Sequence, residues 1–385
     1  MSTPLSLYVH WPWCRNKCPY CDFNSHVNAN RPADAYVGAV IREISTLKDN
    51  VGKRSLTSVF FGGGTPSLME QRHVSAILSA IDASFGIRPE TEITLEANPT
   101  SSEAEKFAAF KAAGVNRLSV GVQSLTQADL TFLGREHSAT EALKTVEDAL
   151  RIVGNVNLDL IFGLPGQKLE NWTAQLETAL GLGTPHLSCY QLTIEPGTAF
   201  YGQARKGAFT MPDSDTQADF EEATRALLSV NGYQNYEVSN YAKPGKACRH
   251  NVAVWQYGDY GGVGAGAHGR ITAADGRKYA TRGYKMPDKY LAAVAEVGHG
   301  WYEQIPIDLH QQAEEALLMG LRLKEGLSLS TLPLPLAEVA DTKGLQQMYT
   351  LGFLQSDGNT LALTPAGWPL LDGVLRHILP DRRTP

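Results

Sequence analysis

The chain has 385 residues, 43% hydrophobic and 19% charged, which excludes a disordered or fibrous polymer and leaves room for two or three domains at roughly 150 residues each. Its formal net charge of −6 argues against non-specific partners such as nucleic acid or anionic membrane, which select a basic face. The opening MSTPLSLYVHWPWC has neither a basic nor an apolar leader segment, and no run of about 18 apolar residues follows, so the expected location is the cytoplasm.

The first expected strand is Leu5–His10. Directly after it, in YVHWPWCRNKCPYCDF, stand Cys14, Cys18 and Cys21, spaced C-x3-C-x2-C. The remaining cysteines are Cys189 and Cys248, and five are too few for a disulfide scaffold in a chain of this length. Three within eight residues read instead as a metal site in a reducing compartment. A helical pattern at Tyr36, Val37, Val40, Ile41, Ile44 and Leu47 precedes a strand at Ser58–Gly62, and a second at Val74, Ile77, Leu78, Ile81 and Phe85 precedes one at Glu92–Ala97. Further strands are expected at Arg117–Gly121, Asn157–Phe162 and His186–Leu192. Six strands separated by helices imply right-handed parallel βαβ units, an α/β barrel or open sheet over residues 1–205.

Residues 206–300 are rich in Tyr and Gly, with six glycines between Gly258 and Gly269, and are expected as loops and tight turns over a surface or a ligand. Residues 301–385 open with a helical pattern (Ala313, Ala316, Leu317, Met319, Gly320, Leu323), followed by a helix near Gly344–Leu351. FLQSDGNTLALT then reads as a hairpin around Asp-Gly-Asn, and a last helix covers Pro365–Leu379. This order suggests a small winged-helix-like α+β domain. It lacks a basic recognition helix, so a packing or lid role is expected rather than DNA binding.

Three thiolates on one loop can hold three irons of a cubane, leaving the fourth iron without the usual cysteine and open to a ligand. A Cys3His zinc site completed by His26 is the alternative. The other chemistry-bearing segments fall at the C-terminal ends of expected strands, where barrel active sites are built. FGGGTPS (residues 61–67) allows close backbone approach and presents N–H and C=O groups to a ligand, or is a turn before a helix begun by Pro66. LEANP places Glu96 at the mouth, to receive ribose hydroxyls or to cap a helix. Gln123 stands in SVGVQS and Arg135 in LGREH. Asp159 lies inside the apolar strand of NLDLIFGLPG, where a carboxylate is costly unless paired or hydrogen-bonded.

The cysteine loop after strand one resembles the radical S-adenosylmethionine (SAM) superfamily. YxHxPxC at Tyr8–Cys14, GGGTPS, LEANP, GVQS, LGREH and LDLIFGLPG, continuing through YAKPGKACRHN and GDYGGVGAGAHG, are similar to the oxygen-independent coproporphyrinogen III oxidase family, which contains HemN-type oxidases and HemW-type haem chaperones. The resemblance implies a partial (β/α)6 radical SAM barrel, a 4Fe–4S cluster on Cys14, Cys18 and Cys21, and SAM on the open iron contacted by Tyr8, Gly63 and Glu96. A second SAM site of the oxidase would correspond to Tyr20, Gly64, Thr65, Gln123, Arg135 and Asp159. Two departures favour the HemW-like branch, in which SAM binding is retained and decarboxylation is generally absent. Phe23 stands where the oxidase has a fourth cysteine, and strand one begins near Met1, without the oxidase's N-terminal extension. That branch carries an HNxxYW motif implicated in haem binding, which here reads HNVAVW at His250–Trp255, with Val254 for the tyrosine. The candidate iron ligands are His250, then Cys248 and His268. Trp255, Tyr257 and Tyr260 offer flat apolar area, unless His250 caps a loop and Trp255 is core. The expected protein is a haem chaperone, a homodimer that passes haem to acceptor haemoproteins, membrane-bound respiratory proteins among them. Its rivals are the oxidase and a structural zinc or iron–sulfur module.

Overall fold

The computed structural model describes residues 4–379; Met1–Thr3, where the reading for a leader begins, lie outside them. Strand β1 (Leu5–Trp11) is buried along both faces except at Tyr8, as a central parallel strand must be. After it come α1 (Ala33–Val51), β2 (Leu56–Gly63), α2 (Gln71–Phe85), β3 (Glu92–Ala97), α3 (Phe107–Ala113), β4 (Arg117–Gln123), α4 (Ala139–Ile152), β5 (Val156–Phe162), α5 (Leu169–Gly181) and β6 (His186–Gln191). The six strands lie side by side in parallel, in chain order. The apolar stripe of α1, with Tyr36, Val40, Ile44 and Leu47 buried, shows the helical periodicity in use.

The sheet extends past both ends of this set. After α6 (Ser214–Val230), β7 (Gln234–Glu237) and β8 (Asn240–Ala242) form an antiparallel pair whose β8 joins β6. Helix α7 (Arg249–Trp255) leads to β9 (Asp259–Val263), which lies parallel to β1 on its outer side. β10 (His268–Thr272), β11 (Lys278–Gly283), α8 (Pro287–Val297) and β12 (Trp301–Pro306) complete an open twelve-stranded sheet in the order β12-β11-β10-β9-β1-β2-β3-β4-β5-β6-β8-β7. The glycine-rich stretch is therefore largely strand, which corrects the expectation of loops. The physical reason is close packing: a Cβ on Gly262 would collide with the backbone carbonyl of His268 on the adjacent strand.

This added layer is latched to the barrel by one buried carboxylate. Glu43 of α1 accepts the Gly264 N–H, the Gly300 N–H and the Tyr290 hydroxyl, each at 2.8 Å. Burial pushes its carboxyl up to about 7 against the pull of these donors.

A second hydrophobic core, with Leu317, Leu327, Met348, Leu361, Trp368 and Val374, belongs to the C-terminal part. There α9 (Leu309–Gly320), α10 (Thr342–Thr350) and α11 (Leu371–Ile378) surround a small antiparallel sheet of β13 (Leu327–Ser328), β15 (Thr360–Leu363) and β14 (Leu354–Ser356). The arrangement is winged-helix-like. It is fastened to the added strands of the large sheet by Arg270–Glu315 (2.9 Å) and by the Lys324 N–H on the Tyr236 carbonyl (3.0 Å). Among the described residues no helix is long and apolar enough to cross a membrane.

Glu43→Ala leaves three buried donors without an acceptor and should cost about 3 kcal/mol in urea unfolding. Because the folded-state pKa lies above the usual carboxyl value, the wild type should lose stability as pH rises from about 4.5 through about 7. Glu43→Gln should remove that slope; a loss below about 1 kcal/mol in Glu43→Ala would contradict the latch.

Candidate cofactor site at the barrel mouth

The cysteine loop is rooted before it becomes irregular. Past β1, Trp13–Cys14 pairs in parallel with His26–Val27. Buried Trp11 and Trp13 pack edge-on against each other and against Tyr36, with ring centroids 4.8–5.7 Å apart. The loop then places Cys14, Cys18 and Cys21 as half-buried free thiols on one cavity of about 540 Å³. Cys14 Sγ accepts from Thr65 Oγ1 and Cys18 Sγ from Arg135 Nη1, both at 3.4 Å. Burial pushes the Cys14 and Cys21 thiols up. Three soft sulfur donors, two of them already facing a hydroxyl or a guanidinium, fit a cluster whose sulfurs need hydrogen-bond donors.

The zinc alternative is not supported. The His26 ring nitrogen bonds Asn24 Oδ1 and the Lys285 carbonyl, each at 3.2 Å, and among the described residues no three His, Cys, Asp or Glu converge as a single-ion site requires.

The end of β2 forms the facing wall, and its amides are spent inside the protein. The N–H groups of Gly63, Gly64 and Thr65 donate to Glu96 Oε2 (3.2 Å), the Trp11 carbonyl (2.7 Å) and the Trp13 carbonyl (2.9 Å). This corrects the expectation that these N–H groups are offered to a ligand. Gly63 has φ +112°, and a Cβ there would lie 2.5 Å from the His10 ring.

The other expected residues line the same cavity. Burial first, then the nearby Asp159 charge, pushes Glu96 up to about 8. Asp159 accepts from Asn157 Nδ2 (2.8 Å) and Ser119 Oγ (3.1 Å), and burial raises its pKa also. Gln123 has φ +71°, strained for a non-glycine residue, at an irregularity in the β4–β5 register. Arg135 Nη2 bridges Asn98 Oδ1 (2.7 Å) and the Gly121 carbonyl (2.8 Å). Tyr20 packs on Phe200. Tyr8 stands apart from this group: its hydroxyl meets His10 Nδ1 at 3.0 Å and it lines a neighbouring cavity instead.

That second cavity, about 520 Å³, shares Phe23, Gly63, Glu96, Tyr190, Asn240 and Asn251 with the first. It is lined further by His250, Val254, Trp255, Tyr260 and, at its rim, exposed His268. His250 Nδ1 lies 3.0 Å from Ser58 Oγ, which donates to Ser6 Oγ. With the Ser58 proton engaged there, Nδ1–H is the donor to Ser58 and Nε2 keeps its lone pair. Nε2 has no hydrogen-bond partner among the described residues. Burial, then the Arg117 charge, lowers the ring's pKa to about 4.

Two aromatic-segment expectations fail. Cys248 is fully buried with Sγ 3.4 Å from Glu92 Oε1, outside the cavity, and burial pushes its thiol up to about 12. Tyr257, at φ +57°, turns away: its hydroxyl donates to Glu315 Oε2 (2.6 Å) and Lys278 Nζ sits 3.8 Å over its ring. Sequence reasoning missed Arg117, Ser119, Asn157 and Ser188 on the cavity floor, although Arg117, like Asp159, is a charge in an apolar strand.

A cysteine loop at the mouth of an open parallel α/β barrel defines a radical SAM protein, and the model of the Radical SAM superfamily matches residues 8–177, that of the HemN C-terminal domain residues 307–370. The chain is 43% identical to the heme chaperone HemW of Escherichia coli (strain K12), over 76% of this chain and 79% of that protein. It is 40% identical to the Mus musculus protein called radical S-adenosyl methionine domain-containing protein 1, mitochondrial, over 99% and 88%. The structure of coproporphyrinogen III oxidase (HemN) from Escherichia coli, a radical SAM enzyme, superposes with a TM-score of 0.82 at 25% identity, covering 98% of this chain and 90% of that one. The chain belongs to the HemW-like haem-chaperone family of the radical SAM superfamily.

Gly63→Ala should cost about 2 kcal/mol or more and displace the His10 ring, read by urea unfolding and by the imidazole NMR shifts. Gly52→Ala, also at positive φ (+71°) but in open space, should cost only about 1 kcal/mol. Equal costs would contradict the close packing of Gly63 on His10.

Proposed function

We propose that this chain is a haem chaperone. Cys14, Cys18 and Cys21 hold a 4Fe–4S cluster, SAM occupies the thiol-lined cavity, and the adjoining cavity keeps haem until an acceptor haemoprotein takes it, membrane-bound respiratory proteins among the acceptors. We assign the barrel to residues 1–205, its sheet extension to 206–300 and the closing domain to 301–385, in a cytoplasmic protein whose thiols stay reduced. The observation that carries the reading is the common wall: Gly63 and Glu96 line both the cavity with the cysteines and the cavity with His250.

The cluster and SAM together supply one-electron and radical chemistry when bound. The chain's own residues prepare for these ligands. Glu96 and Asp159, two half-buried carboxyls with raised pKa values, form a pocket that gains most from a cationic ligand such as SAM. Gly63 and Glu96, with Tyr8 behind His10, shape the approach to the open iron. Tyr20, Gly64, Thr65, Gln123, Arg135 and Asp159 give the rest of the cavity its polar lining. In the second cavity His250 is neutral at pH 7 and keeps the Nε2 lone pair for iron, while Tyr260 and exposed Phe23 give apolar cover.

The test is anaerobic reconstitution followed by parallel assays. The protein should hold about four irons and four sulfides per chain. Cys14→Ser, Cys18→Ser and Cys21→Ser should each abolish the cluster, and Cys189→Ser should not. Glu96→Ala should weaken SAM binding by about 1.5–3 kcal/mol in calorimetry. His250→Ala should change the haem spectrum, because a neutral imidazole with a free Nε2 lone pair is lost. Zinc in place of iron, or SAM-dependent conversion of coproporphyrinogen III, would overturn the reading.

A further inference from the structure

The C-terminal domain sends one residue, Arg322, into the second cavity, where among the described residues no hydrogen bond holds its guanidinium. Past α9, Leu323 bridges to Glu237 of β7 and the Lys324 N–H bonds the Tyr236 carbonyl at 3.0 Å. This stitching brings Arg322 to the cavity wall, with its guanidinium carbon 4.6 Å from the centre of the Trp255 ring. Among the described residues Arg322 is the one Lys or Arg lining this cavity.

Its donors lack an acceptor. Nε is buried without a partner, and no hydrogen bond or ion pair engages the rest of the guanidinium among the described residues. The indole N–H of Trp255 beneath it is likewise buried and unpartnered. Three other enclosed cations are paired, Arg54 with Asp259 at 3.3 Å, Arg270 with Glu315 at 2.9 Å and Lys278 with Asp259 at 3.3 Å, whereas the Arg117 Nε on the floor of the first cavity is, like that of Arg322, buried without a partner. Glu237 shares the wall and feels the Arg322 charge, but it makes no ion pair or hydrogen bond with it; its Oε1 accepts from the Ser239 N–H (3.1 Å) and the Asn240 amide. A planar fork without a hydrogen bond, its carbon 4.6 Å from the centre of an aromatic ring, is suited to a carboxylate that arrives with the ligand.

We propose that Arg322 is the seat of a haem propionate, so that the closing domain reads the acidic edge of the macrocycle while His250 faces its iron. The inference rests on the haem reading above and adds the ligand group recognised. It also assigns one face of Trp255 to Arg322 rather than to the porphyrin.

The test compares haem with its dimethyl ester, which keeps ring and iron but masks both carboxylates, on the full-length reconstituted protein. The wild type should bind haem roughly tenfold or more tighter than the ester. Arg322→Gln should bring that ratio close to one by weakening haem alone, and Arg322→Lys should restore part of it. A wild-type ratio in Arg322→Gln, or equal weakening of both ligands, would overturn the proposal; the ratio is internal to each variant and survives a partial loss of folded protein. If His250→Ala and Trp255→Ala leave both haem affinity and spectrum unchanged, the haem reading falls with it. If His250→Ala changes the spectrum while Arg322→Gln keeps the ratio, only the propionate seat falls.

Discussion

The mouth of this barrel is organised by the last residues of β2. Four contacts leave Gly63–Thr65: to Glu96 on the neighbouring strand, to the carbonyls of Trp11 and Trp13, and from the Thr65 hydroxyl to the Cys14 sulfur. A loop that carries three cysteines has little regular structure of its own, so its position relative to the barrel is set by such outside contacts. Glycine is required where the wall meets the His10 ring, because any Cβ would occupy the space of a ring pinned by Tyr8 and by the Asn24 carbonyl. Both cavities therefore take their shape from one short segment.

Beneath that wall the barrel interior is polar. Asp159, Asn157, Ser119 and His186 lie buried or half-buried among apolar strands and are joined by hydrogen bonds, while buried Arg117 faces the charges of Glu92 and Asp159. Asn157 alone links Ser119, Asp159, His186 and Ser188. Such a network is expensive to leave half satisfied, which makes the floor rigid and leaves change to the rim. The same environment keeps His250 and Glu96 uncharged near neutral pH.

Much of the fold is legible in the sequence because parallel strands buried on both faces are written as short apolar runs. Leu5–Trp11 and Val156–Phe162 differ from a helix by length and by flanking punctuation, and Glu96 and Asp159 stand out as charges in such runs. The glycine-rich stretch is not legible in this way. Glycine serves a tight turn and a crowded strand equally, and only the neighbour, His268 facing Gly262, decides between them. Tyr257 and Tyr260 are equivalent as letters; a left-handed backbone at Tyr257 sends its ring to Glu315 and Lys278 and leaves Tyr260 on the cavity. Arg322 stands in the turn after α9 with no local sign of function, since its position depends on a long-range bridge between Leu323 and Glu237.

The central claim is that two ligands lie side by side across the Gly63–Glu96 wall. A haem titration of the anaerobically reconstituted protein, with and without saturating SAM, tests it most directly. Adjoining cavities predict one haem per chain in both titrations, with SAM still bound at the end of the second. Release of SAM in proportion to haem added would show that both compete for one cavity, and would contradict the account.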